Sequence, residues 1–195
     1  TVMIFAPASG TISAQGLPPE QDPYGTQLHA ASWEDIFTAF PEVDGGIMDG
    51  WTESAYEVVY HHGNAVFRAM NDNQRQQATA RGYDPARLDS GRAHLHQRFQ
   101  NFTPAEVDYY GDHGVLSEMN LFDINEDTLY WLRWRREDGI REGQAFRTAL
   151  DEMPRKILLG NGPRSAIFSG MTALDYHAWD QIVDLLLVKH YFWHR

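Results

Sequence analysis

The last stretch of the chain, Thr172 to Arg195, sets the hardest condition on any fold, because it carries more apolar surface than one face of one element can bury. Thr172 with Asp175 three residues on has the form of a capping box, and Met171 is placed to staple onto Tyr176, so a helix is expected to start here. Leu174, Ala178, Ile182 and Leu185 make one apolar row and Trp179, Val183 and Leu186 a second, with His177, Asp180, Gln181 and Asp184 opposite. From Leu185 to Val188, and again from Tyr191 to Trp193, the apolar residues are consecutive. A helix apolar all round must be covered all round. The sequence therefore predicts a terminal helix of roughly 36 Å, at 1.5 Å per residue, whose last turns are covered in part by another chain.

The rest of the sequence bounds that expectation. A chain of 195 residues that is 43% hydrophobic suits one domain with a substantial core. Its formal charge of -11, from 27 acidic and 16 basic residues, argues against a phosphate-backbone partner, which needs clustered Lys and Arg. Asp184 and Lys189 interrupt the richest apolar run, so no membrane span is expected and the chain reads as soluble. Without cysteine, disulfides, thiolate zinc sites and cysteine nucleophiles are excluded. Residue 1 is Thr rather than Met, which reads as a processed or trimmed chain and suits an organellar protein, but the compartment is otherwise unknown.

Residues 1–50 carry eleven prolines and glycines between Pro7 and Gly50 and read as an irregular arm, with residues 51–195 as the helical domain. One short helix is expected in the arm, capped by Ser32, docking Trp33, Ile36, Phe37 and Phe40, and stopped by Pro41. A strand at Val2 to Ala6 is the rival to an entirely helical reading. Thr52 opens a helix with Tyr56, Val59, Tyr60, Gly63, Phe67 and Met70 on one face. Asn71 to Arg81 is polar and helix-compatible, and Gly82 is its stop. Asp84 and Pro85 start the next helix, with Leu88, Leu95, Phe99 and Phe102 inward, and Thr103, Pro104 and Glu106 start another. Asn125 caps a helix that begins with Glu126 and Asp127 and ends with Arg133, Arg135 and Arg136, and a separate helix is expected from Ala145 to Met153. The fold class is mainly α, an antiparallel bundle or a short array of helical hairpins with an extended N-terminal arm; no internal repeat favours the array.

Nine histidines invite a metal reading, and His190 with His194 is the best-spaced pair. Two imidazoles are not a site, since zinc takes three or four protein ligands, so no metal and no cofactor is expected. Glu57 with His61 lacks the Glu-x-x-His spacing of a carboxylate-bridged di-iron bundle and reads as a helix-surface pair, and His94 and His96 point to different sides of their helix. Asp112 and His113, set between Gly111 and Gly114, are with His62 and Glu118 the candidate catalytic residues. Gly160-Asn161-Gly162 after Ile157-Leu158-Leu159 has the look of a dinucleotide loop, but its third glycine is missing and no alternation of strands and helices is visible around it. P-loop, HExxH and GxSxG motifs are absent.

Six Trp, nine Tyr and ten Phe supply the anchors enriched at protein interfaces. The leading expectation is a non-catalytic protein–protein interaction or accessory subunit of a larger assembly, binding a larger protein through Trp131, Trp134, Leu187, Tyr191, Phe192 and Trp193. The alternative is a hydrolase or toxin-like enzyme using His and carboxylate groups. Metal content and the need for a second chain would separate the two.

Overall fold

The computed structural model describes residues 1–7, 25–49, 67, 69–111, 120–161 and 174–188. The chain is mainly α-helical, with a small parallel sheet. It divides into two compact units, residues 1–61 with 136–195 and residues 62–135.

The first unit holds strand β1 (Met3–Pro7), helix α1 (Gly25–Ala39), strand β2 (Gly45–Asp49), the second part of a long helix, strand β3 (Leu158–Asn161) and a single helical turn. The stretch read as an arm thus contains two strands and a 15-residue helix. That helix begins at Gly25, seven residues before the expected cap at Ser32. Ala30, Trp33 and Phe37, spaced by three and four, are buried, while Phe40 is exposed. Trp33 meets Phe37 and Phe146 edge-to-face, with ring centroids 5.5 and 5.1 Å apart. Gly46 lies under the same indole: a Cβ there would come within 2.6 Å of it, so glycine is demanded by close approach rather than by a turn.

The strand expected at Val2 to Ala6 forms one residue later, and its parallel partners were hidden among glycines. β1 pairs with β2, Ile4 opposite Gly46, and β2 pairs with β3, Gly46 opposite Leu159. Asp44 aligns the start of the sheet: its carboxylate accepts from Val2 N at 2.7 Å, its N–H donates to Val2 O, and its carbonyl accepts from Leu158 N. Arg155 closes the same end, its guanidinium donating to Pro41 O and Val43 O and lying over the Phe37 ring.

The second unit is built from α2 (Asp72–Ala80), α3 (Pro85–Gln100), α4 (Pro104–Gly111) and the start of α5 (Glu126–Asp151). Here the expected starts hold. Asp84 caps α3 with Pro85 in its first turn, Thr103 and Glu106 exchange hydrogen bonds ahead of α4, and Asn125 accepts from Thr128 N at 2.8 Å. Gly82, after α2, has φ 80°, the left-handed region that glycine enters without penalty. Leu88, Gly91 and Leu95 bury one face of α3, and Gly91 is needed because a methyl there would be driven into the Asp127 carbonyl. The helix expected at Ala145 to Met153 is instead the end of the 26-residue α5, which passes through Gly139 and Gly143 without a break. Gly143 makes room for Trp179, whose ring would stand 2.9 Å from an added Cβ.

The largest correction concerns the C-terminal stretch. Asp175 is the cap, accepting from His177 N and Ala178 N, and the helix it starts, α6, runs only from Tyr176 to Trp179. Turns follow, the chain bends at Asp184, and Leu185 enters a β-bridge. Leu185 N donates to Leu159 O and Asn161 N to Leu185 O, the two bonds of a parallel bridge between Gly160 and Leu185. The consecutive apolar residues from Leu185 form a strand-like segment rather than a helix apolar all round. A short apolar run is compatible with either, and periodicity does not tell them apart. Tyr191 to Trp193 and the helix expected from Thr52 to Met70 fall almost wholly outside the described residues. Among the described residues no helix is long and apolar enough to cross a membrane.

Candidate functional site

The order of the sheet determines where a site can lie. Its strands are β1, β2 and β3, parallel and in sequence order, and an isolated parallel bridge ties Leu185 to Gly160 of β3. Ile4, Met48 and Leu159 contribute to one core with Trp33 and Phe37 of α1, Phe146 and Leu150 of α5, and Trp179 of α6. The three helices therefore pack against one face, as sequential crossovers of a single hand require. Alternation puts Phe5, Ile47, Gly160 and Leu185 on the other face, in one register row. Phe5 is 65% exposed there and Leu185 39%.

Because the strands are parallel, their carboxyl ends share one edge. Pro7 ends β1, Asp49 ends β2 in register with Pro7, and Asn161 ends β3. Connections that leave such an edge carry ligand and catalytic groups in α/β proteins, since the scaffold fixes their bases while their sequence is free to vary. Asp49 brings an acidic residue to that edge. Asn161 is almost fully buried, and its carboxamide holds the backbone of Leu187, accepting from Leu187 N at 2.6 Å and donating to Leu187 O at 3.1 Å. Its described role is to align the next strand-like segment.

The amino edge differs. An open groove of about 250 Å³ there is lined by Glu34, Phe37, Pro41, Met153, Arg155 and Ile157 among others. Arg155 is already committed to Pro41 O and Val43 O, so this end reads as structural.

Titration marks two other places. In the second unit, Glu106 is held down at about 2, first by the Thr103 N–H, then by the Arg98 guanidinium and the Thr103 hydroxyl. Arg87 and Asp127, 2.8 Å apart, favour each other's charged forms. These are fastenings between helices and at a cap. In the first unit, crowding by surrounding atoms pushes the Glu142 carboxyl up to about 7, with Asp138 adding to the rise and Arg141 opposing it. The side chain is nevertheless exposed, and water at the carboxylate works against that rise.

The residues expected to carry chemistry fall where the structure gives no description. His62, Asp112, His113, Glu118, His190 and His194 lie outside the described residues, as do Tyr191, Phe192 and Trp193. Trp131 and Trp134, expected to face a partner, are buried at 2% and 4% exposure within the second unit, so this chain covers them itself. Leu187 is half-buried, with its backbone held by Asn161. Among the described residues no group of three or more His, Asp or Glu is placed to hold a metal ion. Gly45, Gly46 and Gly50 read as loop punctuation in the sequence, so the only local sign of β2 is the apolar Ile47-Met48 pair ended by an acid and a glycine. Compared with known proteins, the chain matches no family profile, no curated protein and no solved structure.

Proposed function

We propose that the chain binds a small polar ligand at the carboxyl edge of its parallel sheet and acts there as a carboxylate-dependent enzyme, with Asp49 as the acidic group the edge supplies. One observation carries the reading: β1, β2 and β3 run parallel, so the connections that leave their carboxyl ends start from the same side of one scaffold. The long aromatic helix that favoured an accessory subunit is replaced, through Val188, by one helical turn and a strand-like segment. Fold-level analogy supports the carboxyl edge as the site, and ester, glycoside and phosphoester hydrolysis are the reactions a carboxylate there would serve. The test is a screen of small substrates of those three classes against ¹⁵N-labelled protein. Binding that shifts the amides of Ala6, Asp49 and Asn161, and that is lost in Asp49→Asn, supports the reading. Shifts centred on Glu34 and Arg155 instead would move the site to the amino edge and defeat it.

A second reading keeps the interaction role but moves its surface. Phe5 stands 65% exposed on the sheet face away from the helices, an apolar side chain on an apolar face. If another protein covers that face, Phe5→Ser should weaken retention of the partner from source extract while leaving the unfolding midpoint of the isolated chain within a degree or two.

A further inference from the structure

The segment Leu185-Leu186-Leu187 poses a problem that hydrophobicity cannot solve. In a strand, a slip of one residue exchanges the two faces, and the pattern of apolar and polar side chains normally forbids it. Here the three residues are identical, so exchanging Leu185 for Leu186 alters little in apolar burial. The backbone ladder is equally indifferent, because every residue of the run offers the same N–H and C=O. Yet the structure holds one register: Leu186 packs against the core, whereas Leu185, paired with Gly160, is 39% exposed on the opposite face.

We infer that Asp184 is the register lock that decides which leucine enters the core, with Asn161 holding the run beside β3 once Asp184 has set its register. Asp184 stands immediately before the run. Its Oδ2 accepts from Leu159 N at 2.9 Å and from Arg147 Nη1 at 3.0 Å, and its own N–H donates to Leu159 O at 2.8 Å. Arg147 is itself positioned by Ile157 O and Asp151, so the anchor is tied to α5 and to the entry of β3. At the other end, the Asn161 carboxamide takes both the N–H and the C=O of Leu187, its oxygen accepting and its nitrogen donating. The two fastenings lie three residues apart on the run and on opposite sides of the Gly160–Leu185 bridge. A slip of one residue would carry the Asp184 carboxylate away from Leu159 N and Arg147, whereas Asn161 would meet the same backbone groups on the neighbouring residue. The lock depends on no particular function, and it fixes the register in which the segment joins the carboxyl edge of the sheet.

Selective ¹³C-methyl labelling of leucine with a soluble paramagnetic probe tests the inference. In the native chain, relaxation of the Leu185 methyls is expected to exceed that of Leu186 severalfold. In the Asp184→Ala variant, a chain of native helicity should show two sets of signals for the run, with Leu185 and Leu186 exchanging protection in one of them. A single set that keeps Leu186 protected and Leu185 exposed would overturn the lock. If that variant does not fold, the native background decides. There, Leu186→Gln is expected to lower the unfolding midpoint at least threefold more than Leu185→Gln, and equal losses would show that the register is not fixed.

Discussion

The two units solve the same problem of burying apolar surface by opposite means. In the second, each helix is started by a residue next to it in sequence: Asn71 with Gln74, Asp84 with Pro85, Thr103 with Glu106, Asn125 with Thr128. In the first, the fastenings are distant. Arg155 holds carbonyls more than 110 residues away, Trp33 meets Phe146, and Asp44 joins Val2 to Leu158. The second unit also ties its helices together, Arg87 to Asp127 for one, but its helix starts are set within a few residues, whereas the first unit depends on a few long crossings. The two should therefore fail differently when single residues are changed.

The largest effect is expected at Trp33. It is 1% exposed and touches α1, β2 and α5 together, so Trp33→Ala should cost about 3–5 kcal/mol and loosen all three elements. Chemical denaturation gives the magnitude, and hydrogen exchange at Ile47 and Phe146 shows whether they loosen in common. Protection lost in α1 alone would mean the first unit is less coupled than its contacts imply. Next comes Gly91→Ala in the second unit. The added methyl meets the Asp127 backbone, which has no rotamer to change, and overpacking of this kind costs about 1–3 kcal/mol. A neutral result would show that α3 and α5 can separate without loss. Smaller again is Asp84→Ala, which removes the acceptor for Ala86 N and should cost about 1 kcal/mol, with exchange raised in the first turn of α3 and little elsewhere.

The same contrast explains what the sequence discloses. Caps and prolines act over three or four residues, so α3, α4 and the start of α5 can be read from the chain alone. Strands of four and five residues, with partners across tens of residues, have no local signature, and Gly45 and Gly46 looked like loop because the indole that requires them lies on another element. The C-terminal reading went astray for a related reason. Asp184 and Asn161, which fasten the run beside β3, are 23 residues apart, and nothing in the run itself distinguishes strand from helix. At the candidate site, a carboxylate at the end of β2 becomes visible only once the strands are known to be parallel. Before that, Asp49 is one acid among 27 acidic residues.

Acid titration offers the finest comparison, because the perturbed carboxylates of the two units should push stability in opposite directions. Glu106 is held at about 2, below its ordinary 4.5, so its contribution is complete above 4.5 and is lost as pH falls through 2. Glu142 is raised from 4.5 to about 7. Between those values the folded chain holds a proton that the unfolded chain has released, so the first unit gains stability as pH falls from 7 to 4.5 and loses it as pH rises. Glu142→Gln removes that dependence. Relative to the native chain it should be stabilising at pH 7 and close to neutral at pH 4.5, as measured by denaturant unfolding at the two values. Because the Glu142 side chain keeps contact with water, the difference is expected to be the smallest of the four effects. Equal stabilities of variant and native chain at both values would show that water at the exposed carboxylate cancels the crowding, and would leave Glu106 as the one perturbed carboxylate of this pair.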